Sequence, residues 1–184
     1  VNTKDRVYIA LFAAIYAVLG IFPPIFLPFF LGLPITVQSM GVMLAGSILG
    51  AKRGALASAL FLLLVALGLP ILAGGRGGIG AFLGVGGGYM VGYPFAAFFI
   101  GYMVELFWKR LNFTMLVVIN SIGGIGIVYF FGIPWVAYVA NVSLLTALVS
   151  SLGFMIGDFL KVLIGSFVAI TIKKTIPLIS QEKR

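Results

Sequence analysis

Cysteine and histidine are both absent from the 184 residues, and only four acids occur: Asp5, Glu105, Asp158 and Glu182. Without cysteine there is no disulfide framework, iron–sulfur cluster or thiol nucleophile. Without histidine the common zinc sites and the usual general base are missing. No two of the acids are neighbours in sequence, so the clustered carboxylates of a metal-dependent membrane enzyme have no counterpart here. A G-x-x-x-x-G-K-[ST] phosphate loop is also missing, so any ATP-driven step belongs to another subunit. No metal and no cofactor is expected, and the chain does not read as an enzyme.

What the chain has in abundance is apolar surface. Apolar residues make up 62% and charged residues 9%, with a mean hydropathy of +1.23. A soluble domain has about 45–50% apolar and about 25% charged residues. This chain cannot cover itself with polar surface, which excludes a water-soluble class. One membrane span needs about 20 apolar residues, so six spans take about 120 and leave about 64 for loops and ends. The expectation is an all-α membrane protein: one integral-membrane domain over 1–184, six transmembrane helices in a compact bundle, and no soluble domain.

Apolar runs ended by charge, Gly or Pro place the spans at about 7–30, 33–50, 54–70, 84–107, 113–132 and 147–172. Pro23, Pro24 and Pro28 predict a kinked or unwound second half for the first span. The Gly-dense stretch ILAGGRGGIGAFLGVGGGY between the third and fourth spans is not uniform helix, and the 133–147 connection has room for a partial one. Lys4 and Arg6 precede a long apolar run with no small-residue cleavage site, so a cleaved signal peptide is not expected. The N-x-[ST] matches at Asn112 and Asn141 are at chance level.

Charge placement agrees with six spans. If both termini share a side, that side carries Lys4, Arg6, Lys52, Arg53, Lys109, Arg110, Lys173, Lys174, Lys183 and Arg184, which is 10 of the 12 basic residues. Arg76 alone falls in the opposite loops, and Lys161 lies inside a span. The positive-inside rule then puts both termini in the cytoplasm. The net charge of +8 is topological, directed at an anionic lipid leaflet rather than at nucleic acid.

Few residues remain to carry chemistry. Asp158 and Lys161 sit in the sixth span, with Asp158 about 11 residues, or about 16 Å, from its start, roughly midway through the hydrocarbon. Three residues apart, they share a helix face. Charged groups at that depth face a cavity or a partner and mark functional sites, the alternative being a mutual ion pair that glues the bundle. Arg76 lies among Gly74, Gly75, Gly77 and Gly78, a loop whose backbone N–H groups can approach a ligand closely. It reads as a binding lid, a plain flexible turn, or an arginine at the headgroups. Gly75-x-Gly77-x-x-Gly80 matches a dinucleotide fingerprint formally, but no βαβ unit surrounds it. Gly84, Gly88, Gly92 and Ala96 form a smooth ridge that reads first as close helix packing, with Tyr89 beside it able to point a hydroxyl into a cavity. Gln38 and Asn141 are polar at membrane depth, each an interhelical hydrogen bond or a ligand contact. Glu105 reads as structural, with Lys109 four residues on. Ala10, Ala13, Ala14 and Ala17 give the first span a flat stripe for docking another helix, in this chain or in a partner.

Four segments in order carry a resemblance: LPITVQSMGVMLAGSILGAKRGALA around residue 34, GLPILAGGRGGIGAFLGVGGGYMVGY at 68–93, GIPWVAY at 132–138 and GDFLK at 157–161. The chain resembles the BioY family, the biotin-binding S components of energy-coupling-factor (ECF) vitamin transporters, over nearly its whole length. It departs from the family at Gly84–Tyr89, where G-P-T-G-G-Y is frequent, and at Ile156-Gly157-Asp158, where P-G-D is frequent. The resemblance implies a six-helix bundle in a bacterial cell membrane that captures biotin from outside. An ECF T subunit and two ABC-type ATPase subunits would drive release inward, with the alanine stripe docked on the T subunit. Asp158, Lys161, Arg76, Tyr89, Gln38, Asn141, Gly75 and Gly77 are the candidate ligand contacts. An S component for another vitamin, a stand-alone proton-coupled carrier using Asp158, and a membrane enzyme acting on a lipid or isoprenoid are the competing expectations. No second copy of the GDFLK segment supports the carrier.

Overall fold

Helix α1 (Thr3–Leu19) starts on a reciprocal cap. The Asn2 side chain accepts from the Asp5 N–H at 2.9 Å, and the Asp5 carboxylate accepts from the Asn2 N–H at 3.0 Å. This satisfies two of the donors that a helix start leaves open. The computed structural model describes residues 2–26, 34–175 and 179. The helix stops at Gly20, ahead of Pro23 and Pro24, and the chain then turns back on itself. Strand β1 (Ile25–Phe26) pairs antiparallel with β2 (Pro34–Ile35), with Ile25 opposite Ile35 and Phe26 opposite Pro34. Among the described residues, the expected first span is helical only as far as Leu19. Pro28 and the 27–33 part of the expected first and second spans lie outside the described residues.

The second span is shorter than expected. Helix α2 (Met40–Leu49) has nine of its ten residues buried and is surrounded by other helices, so it forms the axis of the bundle rather than a lipid-facing wall. Gly50 separates it from α3 (Ala51–Ala66) with φ +86°, a conformation that L side chains rarely adopt. The Glu105 carboxylate fills the space beside Gly50 and accepts from the Ala51 N–H at 2.8 Å. Glu105 thus caps the start of α3. It forms no ion pair with Lys109 among the described residues, a correction to the i, i+4 expectation, because the unsatisfied α3 terminus offers a fixed donor.

A short helix α4 (Gly80–Leu83) precedes α5 (Gly87–Leu106). Helix α6 (Phe113–Val139) runs on past residue 132, where Gly and Pro signalled an end. Pro134 removes only one donor, and Gly132 lies flat under the Tyr89 ring. Its middle, Ile122–Ile127, is a wide π turn. The expected sixth span is two helices, α7 (Leu144–Leu152) and α8 (Met155–Thr175), parted at Gly153–Phe154. Helices α5, α6 and α8 are each long and apolar enough to cross a membrane.

One buried polar cross-link ties three helices together. Ser47 on α2 donates to Asn120 on α6 at 3.0 Å, and Asn120 donates to Ser166 on α8 at 2.9 Å. The Gly84–Ala96 ridge packs closely on α6: Gly88 abuts Trp135 and the Phe131 carbonyl, and Gly92 faces Val128. Two basic residues, Arg53 and Lys173, have partners at the end of the bundle where α1 and α3 start. Arg53 pairs with Asp5 at 2.7 Å. Lys173 donates to the Trp108 carbonyl at 2.7 Å and lies over its ring. Arg76 is at the other end, beyond the C-terminal end of α3.

Candidate functional site

The break between α7 and α8 decides where the ionic pair stands. Asp158 falls in the first turn of α8, where the helix dipole favours a carboxylate. It is therefore placed by the start of α8, and not inside one continuous sixth helix as expected. Lys161 comes one turn later, with Nζ 2.7 Å from Asp158 Oδ1. Each side chain is only 12% exposed. Two further residues complete the set. The Tyr129 hydroxyl on α6 donates to Asp158 Oδ2 at 2.5 Å, and Lys161 donates to Ser39 Oγ, just before α2, at 3.1 Å.

These groups form part of the wall of a cavity of about 200 Å³. Its remaining walls come from the 35–39 turn, the 72–76 segment, the 81–86 segment, α5 through Tyr89, Met90 and Tyr93, and α6 through Gly124 and Val128. Tyr89 and Tyr129 meet edge to face at 5.6 Å between ring centres. Tyr89 also shares a hydrogen bond of 2.8 Å with Ser151 on α7. The lining is thus mostly apolar and aromatic, with a few polar groups held in place, as small-ligand sites require.

The polar groups keep unused capacity. A lysine ammonium has three N–H donors, and Lys161 spends two, on Asp158 and Ser39. An ionised carboxylate has about four lone-pair sites, of which Asp158 uses two. Arg76 is exposed at the cavity's edge and donates its Nε–H to the Ala73 carbonyl at 3.2 Å, leaving the rest of its fork without a partner among the described residues. With two cations and one anion, the site carries a formal charge of +1 and is suited to a ligand that is itself anionic.

Five of the expected contact residues come together here: Asp158, Lys161, Arg76, Tyr89 and Gln38. Three do not line this cavity. Asn141 is exposed beyond the end of α6 with φ +53°, a left-handed position that asparagine tolerates. Gly75, with φ +69°, serves the turn, and Gly77 abuts the Leu69 carbonyl. Gln38 lines the cavity, but both polar atoms of its amide are bonded to backbone, at Tyr16, Ile71 and Ala73. Tyr129, Ser39 and Tyr93 were missed. A tyrosine inside an apolar span was the available signal for Tyr129; Ser39 had none. The alanine stripe divides: Ala10 and Ala14 are exposed, Ala17 is half-buried, and Ala13 is buried in the core.

Fold and cavity define a membrane-helix bundle with a small-ligand site near one end. The BioY family model matches residues 1–178. The biotin transporter BioY of Rhizobium etli is 42% identical over 97% of this chain and 97% of its own length. The probable biotin transporter BioY of Bacillus subtilis is 43% identical over 95% and 92%. A crystal structure of the S-component for biotin from an ECF-type ABC transporter superimposes with a TM-score of 0.86 at 35% identity, over 93% of this chain and 91% of that one. The chain belongs to the BioY family, and it is a multi-pass membrane protein.

Proposed function

We propose that the chain is the biotin-capturing S component of an ECF-type ABC transporter, a transport subunit rather than an enzyme. The observation that carries the reading is the Asp158–Lys161 pair, buried at a cavity with donor and acceptor capacity left over. Biotin presents a ureido group, an apolar bicyclic body and an alkyl carboxylate. Asp158 accepts from the ureido N–H groups, and the third Lys161 proton goes to the ureido oxygen. The tyrosines and Met90 enclose the bicyclic body, and Arg76 receives the carboxylate at the mouth. Direct binding of biotin to the purified protein in detergent tests this.

The same proposal covers topology and partners. Six membrane crossings with both termini cytoplasmic put the basic end inside and the Arg76 end, with the cavity mouth, outside. The gathering of Asp5, Arg53, Trp108 and Lys173 at one end supports this arrangement. A T subunit docks on the exposed Ala10–Ala14 face of α1, and two ATPase subunits supply the energy that this chain has no phosphate loop to harvest. Co-purification of those subunits from a membrane expressing all of them is the test.

A further inference from the structure

Gln38 is buried, 3% exposed, and every polar atom of its amide is bonded to backbone from two other parts of the chain. Its Nε2 donates to the Tyr16 carbonyl in the last turn of α1 at 2.9 Å and to the Ile71 carbonyl at 2.8 Å. Its Oε1 accepts from the Ala73 N–H at 3.1 Å. The amide cannot be turned over, because its oxygen would then face two carbonyls. The carbonyl of the same residue holds Arg76, whose Nε–H donates to it at 3.2 Å. Among the described residues, no other hydrogen bond ties 69–76 to α1 or α2; the rest are local or run to α3.

Gly20 supplies a second, independent observation. Its backbone is ordinary, with φ −75°, so its lack of a side chain is not a matter of conformation. A Cβ there would lie 2.5 Å from both Gln38 Nε2 and the Ile71 carbonyl. The end of α1 is left bare where the Gln38 amide and the 69–76 segment meet.

We infer that Gln38 is a positioning residue, a latch that holds the 69–76 segment and its Arg76 across the cavity mouth and so sets how long a captured ligand stays. The ligand part of this inference rests on the biotin reading; the latch itself does not. Because the chain has no cysteine, Val128→Cys, at a buried lining position on α6, reports access to the cavity uniquely. In ligand-free protein, its alkylation by a charged methanethiosulfonate reagent should quicken about tenfold or more with Gln38→Met, which removes three hydrogen bonds to backbone. Gly20→Ala, which leaves the glutamine in place and crowds it, should do the same. Ser47→Ala, which removes a buried hydrogen bond away from the cavity, should leave the rate alone. In the parent protein, Gln38→Met should speed biotin dissociation about tenfold. Unchanged alkylation in both latch variants, or an equal rise with Ser47→Ala, would overturn the latch. Faster alkylation with unchanged biotin dissociation would overturn its control of residence. Wild-type protein that binds no biotin would sink the functional reading and with it the residence claim, while alkylation still decides the latch.

Discussion

The Tyr129 hydroxyl donates to Oδ2 of Asp158, the carboxylate oxygen that Lys161 does not take. Residues on two helices, α6 and α8, thereby fix both oxygens of one buried acid and aim what remains of its accepting capacity at the cavity. Tyr129→Phe keeps the ring and its packing on Tyr89 but frees Oδ2. A hydrogen bond to a charged group is worth about 1.5–3 kcal/mol, so biotin affinity should fall at least about tenfold by isothermal titration. Unchanged affinity would make Tyr129 a packing residue only.

Topology can be read with single cysteines. Arg76 is exposed at the cavity end, and Lys52 lies in the first turn of α3, at the opposite end. Arg76→Cys in intact cells should react with an impermeant maleimide, and Lys52→Cys should react only after permeabilisation. The reverse pattern would invert the orientation.

The division of the alanine stripe separates folding from assembly. Ala10 and Ala14 face outward beside exposed Val7, Leu11 and Val18, whereas Ala13 is 2% exposed. Ala10→Trp with Ala14→Trp should leave biotin binding intact and abolish co-purification with a T subunit, since a bulky side chain bars close helix approach. Ala13→Trp should instead overpack the core, at a cost of about 1–3 kcal/mol, seen as a lower melting temperature of the solubilised chain.

Asn120 joins α2, α6 and α8 through two buried serine hydroxyls. Interhelical hydrogen bonds in membrane bundles average about 0.6 kcal/mol, and Asn120→Ala removes two of them and leaves a cavity. The melting temperature should drop by several degrees, while Asp158 and Lys161 keep their partners. A loss of biotin affinity without a loss of stability would place Asn120 in the ligand pathway instead.

The all-α membrane class and the Asp158–Lys161 pair were legible because hydropathy and i, i+3 spacing act locally. Helix ends were not. Gly132 and Pro134 read as a stop, yet the helix continues because Gly132 is the bed for a ring from α5. The sixth span read as one helix because Gly153 is a weak signal in an apolar run. That error misplaced the environment of Asp158, which stands at a helix start. Gln38 was legible as a polar group at depth, but its service to three backbone groups depends on a loop fold that periodicity does not encode. Ser39 and Tyr129 reach the pair only through tertiary packing.

The central claim is that Asp158 and Lys161 hold biotin. Isothermal titration of biotin into the purified wild-type chain, Asp158→Asn and Lys161→Ala, each first shown to be folded by its melting curve, tests it most directly. The account predicts saturable binding by the wild type and about 10- to 150-fold weaker binding by each variant, from the loss of about 1.5–3 kcal/mol per charged hydrogen bond. Wild-type affinity in both folded variants would contradict it and leave the pair as internal glue.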